Sequence, residues 1–174
     1  LNFSTQKTMR IAQQLYEGIQ IKGRGTIGVI SYLRTDSTRV SEEADAMARE
    51  FISENYGENY LSKNSEDKKK ASSKIQDAHE AIRPTDITLT PTVIKDDLSR
   101  DQFRLYQLIW KRFTASRMDS AKYETMSVKI NAGKYIFTTS ASKLLFDGFM
   151  SVYSDSDDEE DDTKNKIDAL DKDS

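Results

Sequence analysis

The run Tyr32-Leu33-Arg34-Thr35-Asp36-Ser37-Thr38-Arg39 puts a phenol two residues from a guanidinium inside a polar, turn-prone stretch. That pairing suits phosphoryl transfer to tyrosine. A phenol holds its proton at neutral pH, so as a nucleophile it needs positive charge nearby to favour the phenolate and to neutralise the phosphate it attacks. Arg34 can supply part of that charge, because its planar fork holds two phosphate oxygens at once. A carboxylate beside a phosphate repels it unless paired, so Asp36 is read as orienting Arg34 or capping a helix. Ser37 and Thr38 suit turn capping and contact with a ligand equally well. The single histidine, His79, could be an ordinary surface or core residue on its own evidence.

The elements that must position these groups are mostly helical. Ser4 or Thr5 can cap a helix whose apolar positions are Met9, Ile11, Ala12, Leu15 and Tyr16, with Gly18 as its stop. Gly23, Gly25 and Gly28 bracket Ile19 to Ile30, a β-branched stretch that reads as loop and short strand leading into Tyr32. The glycine spacing fits neither a dinucleotide fingerprint nor a P-loop. Ser41 is an N-cap before Glu42, Glu43 and Asp45, and Ala44, Met47, Ala48, Phe51 and Ile52 carry that helix toward Gly57.

Lys63 to Lys74 reads as a lysine-rich mobile loop, with Lys68, Lys69 and Lys70 in sequence. Pro84 and Pro91 mark an extended connection. Thr90-Pro91 opens a short helix through Leu98, and Ser99 with Gln102 forms a capping box for the longest helix. Its apolar stripe is Phe103, Tyr106, Leu108, Ile109, Trp110 and Phe113, and Trp110 reads as core. From Tyr123 the period changes to two. Met126, Val128 and Ile130 alternate, Asn131-Ala132-Gly133 supplies a turn, and Tyr135, Phe137 and Thr139 alternate again. Leu144 to Tyr153 reads as a third strand interrupted at Asp147-Gly148.

Three ordered segments resemble the type IA DNA topoisomerases. Gly28-Val29-Ile30-Ser31 leading into Tyr32 and then Arg34-Thr35-Asp36-Ser37 is similar to their active-site segment. Asp77-Ala78-His79-Glu80-Ala81-Ile82-Arg83-Pro84-Thr85 follows, and then Leu108-Ile109-Trp110-Lys111-Arg112-Phe113 with Ala115-Ser116-Arg117-Met118. The resemblance spans roughly residues 5 to 153. His79 to Thr85 resembles the bacterial topoisomerase I form, whereas topoisomerase III tends to carry Ile at the place of Arg83 and Pro at the place of Leu33. Reverse gyrase is a third member type, but no helicase portion is visible.

The resemblance implies that Tyr32 attacks a single-strand phosphodiester, keeps the 5′ phosphate and releases a 3′ hydroxyl. Strand passage then relaxes negatively supercoiled DNA without ATP. Tyr32, Arg34 and His79 would be catalytic, with His79 as phosphate contact or proton donor. Arg34, Asp36, Ser37, Thr38, His79 and Arg83 would meet DNA, although Glu80 and Arg83 could equally form a shell supporting His79. Family members need a Toprim domain, whose acidic cluster binds magnesium and whose lysine aids leaving-group protonation. Nothing in this chain resembles Toprim, so magnesium is expected from elsewhere in the parent, none is expected to bind here, and the isolated chain is expected to be inactive.

The resulting expectation is a mainly α fold with a β-hairpin and strand region on the C-terminal side: the tyrosine-bearing domain plus part of the arch. Residues 1–20 would be a connecting helix, 21–120 the tyrosine-bearing domain, 121–154 a partial arch segment and 155–174 an acidic, disordered loop. The chain opens at Leu1 without Met and reads as an excised piece.

Composition agrees with a DNA partner for the body of the chain. Residues 155–174 carry ten acids against three lysines, a net of −7, so the remainder is +4 in a chain of net charge −3. No Cys is present, which excludes disulfides and thiolate metal sites, and one His allows no histidine-rich zinc centre. No apolar run approaches the roughly 20 residues of a membrane span. The expected partners are single-stranded DNA, negatively supercoiled duplex, and the Toprim and arch portions of the parent, with the enzyme a monomer in the bacterial cytoplasm at the nucleoid. The rival reading is a noncatalytic helix-turn-helix DNA-binding module, which would leave Tyr32 without special chemistry.

Overall fold

The computed structural model describes residues 1–62 and 79–153. The lysine-rich run and the acidic terminal segment, together with Asp77 and Ala78, lie outside the described residues. The chain divides into two compact units, Leu1–Asp119 and Ser120–Ser174.

In the first unit, local capping chemistry sets the helix starts. Helix α1 (Thr5–Glu17) begins where the Ser4 side chain accepts from Lys7 N, and ends at Gly18, whose φ of 143° favours glycine. Its buried residues are Ile11, Ala12 and Leu15, while Met9 and Tyr16 point outward. Strands β1 (Ile19–Ile21) and β2 (Gly25–Ile27) form a small antiparallel hairpin. Helix α2 (Glu42–Asn55) starts at Ser41, whose hydroxyl accepts from Ala44 N, with Glu42, Glu43 and Asp45 in its first turn. Ala44, Ala48 and Ile52 are buried, whereas Met47 is exposed.

Thr90 caps the one-turn helix α3 (Pro91–Ile94), and the chain tightens into a 3₁₀ turn at Lys95–Asp97. Ser99 and Gln102 close the capping box of helix α4 (Arg100–Ala115) from both sides. The core gathers Ile11 and Leu15 of α1, Ile52 of α2, Val29, Ile30 and Leu89 from the connections, and Leu105, Tyr106, Trp110 and Phe113 of α4. Two polar tips in that core are satisfied by backbone. Tyr106 Oη donates to Leu89 O at 2.7 Å and Trp110 Nε1 to Ile87 O at 2.9 Å. Thr114 Oγ1, also buried, has no hydrogen-bond partner.

The second unit contains one long hairpin. Strands β3 (Lys122–Ala132) and β4 (Tyr135–Phe146) pair antiparallel from Ala132↔Tyr135 down to Lys122↔Phe146, with an irregularity beside Tyr123. The turn is shorter than expected. Asn131 and Ala132 remain in β3, and Gly133, at φ 62°, takes the first of two turn positions, where a two-residue hairpin calls for positive φ. The expected third strand over Leu144 to Tyr153 does not form. Leu144 to Phe146 extend β4 because they pair back to Tyr123 and Lys122, and Gly148–Ser151 is a 3₁₀ turn. Paired residues share a face, so Met126, Val128, Ile130 and Phe137 stand on one side, with Thr125, Ser127, Ser140 and Ser142 on the other.

Candidate active site

Residues 31–39 form a loop whose two ends are tied to one residue, Ala81. Ser31 Oγ donates to Ala81 O at 2.8 Å, and Ala81 N donates to Arg39 O at 2.8 Å. Around that knot, residues 28–31 run antiparallel to 81–85. Ser31 N donates to Arg83 O, Arg83 N to Ser31 Oγ, and Thr85 N to Val29 O, while Ile30 and Pro84 form a bridge. This pairing, between segments far apart in sequence, brings His79 to Tyr32.

On the other side the Tyr32 segment is fastened to α1. Val29 N donates to Leu15 O at 2.8 Å, satisfying a carbonyl in the last helical turn. Gly28 passes so close that a Cβ there would lie 2.4 Å from Tyr16 O. Only glycine fits that approach.

Tyr32 is 56% exposed, in contrast to Tyr106, which is fully buried and whose phenol burial pushes up in pKa. The ring of Tyr16 lies 5.4 Å from that of Tyr32 and the ring of His79 6.4 Å from it. Arg34 N donates to Tyr32 O, closing a tight turn. Nε and Nη2 of Arg34 both donate to Asp36 Oδ2, at 3.1 and 2.8 Å. His79 Nδ1 lies 3.9 Å from the same oxygen. The hydrogen bond from Arg34 holds the Asp36 carboxyl below the usual carboxylate range. Asp36 therefore stays ionised and spans the arginine and the histidine.

The remaining sequence candidates fall into two groups. Thr38 is exposed on the loop, whereas Ser37 is buried and its hydroxyl accepts from Arg39 N at 3.2 Å. The guanidinium of Arg83 is occupied: Nε and Nη2 donate to Glu80 Oε2, and Nη1 to Pro84 O. Its side chain is 16% exposed. That geometry braces the chain next to His79. Sequence reasoning passed over Ser31 and Tyr16 as site residues. Ser31 could have been noticed as the last residue before the nucleophile candidate, but its partners are non-local, and Tyr16 looked like part of the buried face of α1.

Asp36 and Glu80 each spend an oxygen on an arginine, and no group of three or more His, Cys, Asp or Glu suited to a metal occurs among the described residues. No described helix is long and apolar enough to cross a membrane.

Residues 1–174 match the model of the DNA topoisomerase family. Among solved structures, the chain is similar to full-length topoisomerase I from Thermotoga maritima, at 44% identity and a TM-score of 0.73. The chain belongs to the bacterial type IA DNA topoisomerases. The structural match covers 90% of this chain and 24% of the Thermotoga protein, so the topoisomerase chain described here spans about a quarter of that relative's length.

Proposed function

We propose that this chain carries the nucleophile of a type IA topoisomerase and that Tyr32 cleaves one DNA strand to form a 5′-phosphotyrosine. The observation that carries the reading is the exposed Tyr32 ring beside that of His79, on a loop that also holds the Arg34–Asp36 pair and is closed at its base by Ala81. The Tyr32 Oη–phosphorus bond forms as the bond from phosphorus to the 3′ oxygen breaks. The phenol proton leaves to solvent and the departing oxygen takes one up. Because phosphodiester energy is kept in the phosphotyrosine, the 3′ hydroxyl can reverse the step, and strand passage in between relaxes negatively supercoiled DNA without ATP.

In this reading Arg34 offers N–H groups to the phosphate, and preorganised donors of that kind contribute about 10²–10³ in rate. Asp36 holds Arg34 rather than meeting the phosphate. His79 contacts the phosphate or donates the proton, and Thr38 and Ser37 line the strand's approach, with Ser37 acting through the loop. Arg83 and Glu80 support His79. Magnesium belongs to a Toprim portion outside this chain, and the second unit belongs to the arch. The reading carries with it a monomeric enzyme working on DNA in the bacterial cytoplasm, and a chain that is inactive by itself.

The test combines the chain with a separately expressed Toprim-containing portion, magnesium and a single-stranded oligonucleotide labelled at its 3′ end, the end that stays on the tyrosine. A covalent adduct that Tyr32→Phe abolishes is the expected result. An adduct that persists in Tyr32→Phe overturns the nucleophile assignment, and one formed by the chain alone overturns its dependence on Toprim.

A further inference from the structure

We infer that Tyr16 is a positioning residue for Tyr32, an inference that rests on the nucleophile reading above. Tyr32 is more than half exposed, and an exposed tyrosine ordinarily distributes over several staggered side-chain wells. Here one flank of its ring is walled by Tyr16, with ring centroids 5.4 Å apart and planes inclined at 59°. Such tilted pairs attract beyond simple area burial, because the positive edge of one ring meets the negative face of the other.

The wall is fixed by backbone. Tyr16 sits in the last turn of α1, and that same turn receives Val29 N at Leu15 O and the close pass of Gly28 over Tyr16 O. The base of the Tyr16 side chain and the strand that delivers Tyr32 are thus parts of one hydrogen-bonded unit. His79 stands on Tyr32 from a different segment. The Tyr32 ring therefore has two ring neighbours while more than half of the residue remains exposed. The Tyr16 hydroxyl takes no part in this, so an unhydroxylated ring serves equally.

Without the Tyr16 ring, Tyr32 gains wells in which its oxygen is out of line, and each turnover must wait for the productive one. The expected loss is about tenfold in the cleavage step, from the added wells and the missing ring contact together. Binding of DNA does not depend on which well is occupied.

The experiment uses the full-length parent enzyme with magnesium, comparing Tyr16→Ala, Tyr16→Leu, Tyr16→Phe and Tyr32→Phe. Single-turnover cleavage of an oligonucleotide, its dissociation constant and the melting temperature are read for each. Tyr16→Ala and Tyr16→Leu should both slow cleavage about tenfold with the dissociation constant within about twofold of wild type, and Tyr16→Phe should restore the rate. Tyr16→Leu keeps apolar bulk on the helix and covers the case in which Tyr16→Ala melts early. Wild-type cleavage by a folded Ala or Leu variant overturns the inference. So does a dissociation constant that weakens in step with the rate, which would make Tyr16 a stacking platform for a base. Tyr32→Phe separates the two readings: if it still cleaves, the nucleophile assignment fails, and if it is dead while Tyr16→Ala cleaves normally, only the role of Tyr16 falls.

Discussion

Replacing Ser31 by Ala should loosen the loop that carries Tyr32 more than any other single-atom deletion near it. The Ser31 hydroxyl donates to Ala81 O at 2.8 Å and accepts from Arg83 N at 2.9 Å, and it is partly buried. Its removal leaves one carbonyl and one amide without their partner. At about 1 kcal/mol for each bond, the loss is about 2 kcal/mol. For a unit the size of Leu1–Asp119, unfolding entropy of about 2.1 cal/mol/K per residue turns this into a fall of roughly 8 °C in Tm. Trp110 is the only tryptophan in the chain and lies in the core of that unit, so urea titration followed by its fluorescence reports on the right transition. Thr85→Val serves as the comparison, because it removes a single exposed bond, Thr85 Oγ1 to Gly28 O, and should cost no more than about 0.5 kcal/mol. Equal losses in the two variants, or a Ser31→Ala loss below about 0.5 kcal/mol, would refute the claim that the serine hydroxyl locks the two segments.

Three other substitutions probe the same unit. Gly28→Ala places a Cβ 2.4 Å from Tyr16 O, a backbone atom that cannot step aside, and should destabilise by about 3 kcal/mol in the same urea assay; a loss under 1 kcal/mol would mean that the α1 turn yields. Thr114→Val removes a buried hydroxyl with no partner and should raise stability by about 1 kcal/mol, whereas a loss of similar size would show that the hydroxyl is hydrogen-bonded. For Asp86, burial alone would raise the pKa, but hydrogen bonds from Thr88 and Arg24 outweigh it and the net shift is downward. A depressed carboxyl stabilises fully above its unfolded pKa of 3.8 and loses that contribution as pH falls through the lower folded value. Acid unfolding of Asp86→Asn should therefore be less steep below that pH than in the parent chain, and identical curves would count against the Arg24–Asp86 pair.

The helix starts were readable because their causes are local: Ser4, Ser41, Thr90 and Ser99 each cap with their own side chain within three residues. The β-hairpin was readable from period-two alternation, but its extent was not. Gly133 can turn the chain with only one residue more, and Leu144 to Phe146 are recruited by partners on β3, which alternation within one strand does not reveal. Within the motif around Tyr32, Arg34 and Asp36 are near enough in sequence for their pairing to be anticipated. What stayed hidden was the clamp. The antiparallel pairing of 28–31 with 81–85 leaves no periodic trace in segments this short, and it is made between segments about fifty residues apart.

The bond from Val29 N to Leu15 O has a mechanical consequence. A thirteen-residue helix is about 20 Å long, and α1 is braced against α4 by Lys7–Asp101 near its start and by Gln14–Gln102 near its end. It therefore behaves as a stiff rod with the Tyr32 strand bolted to its tip. A shift of the last turn of α1 would therefore be felt first in residues 28–31, the segment that leads into Tyr32.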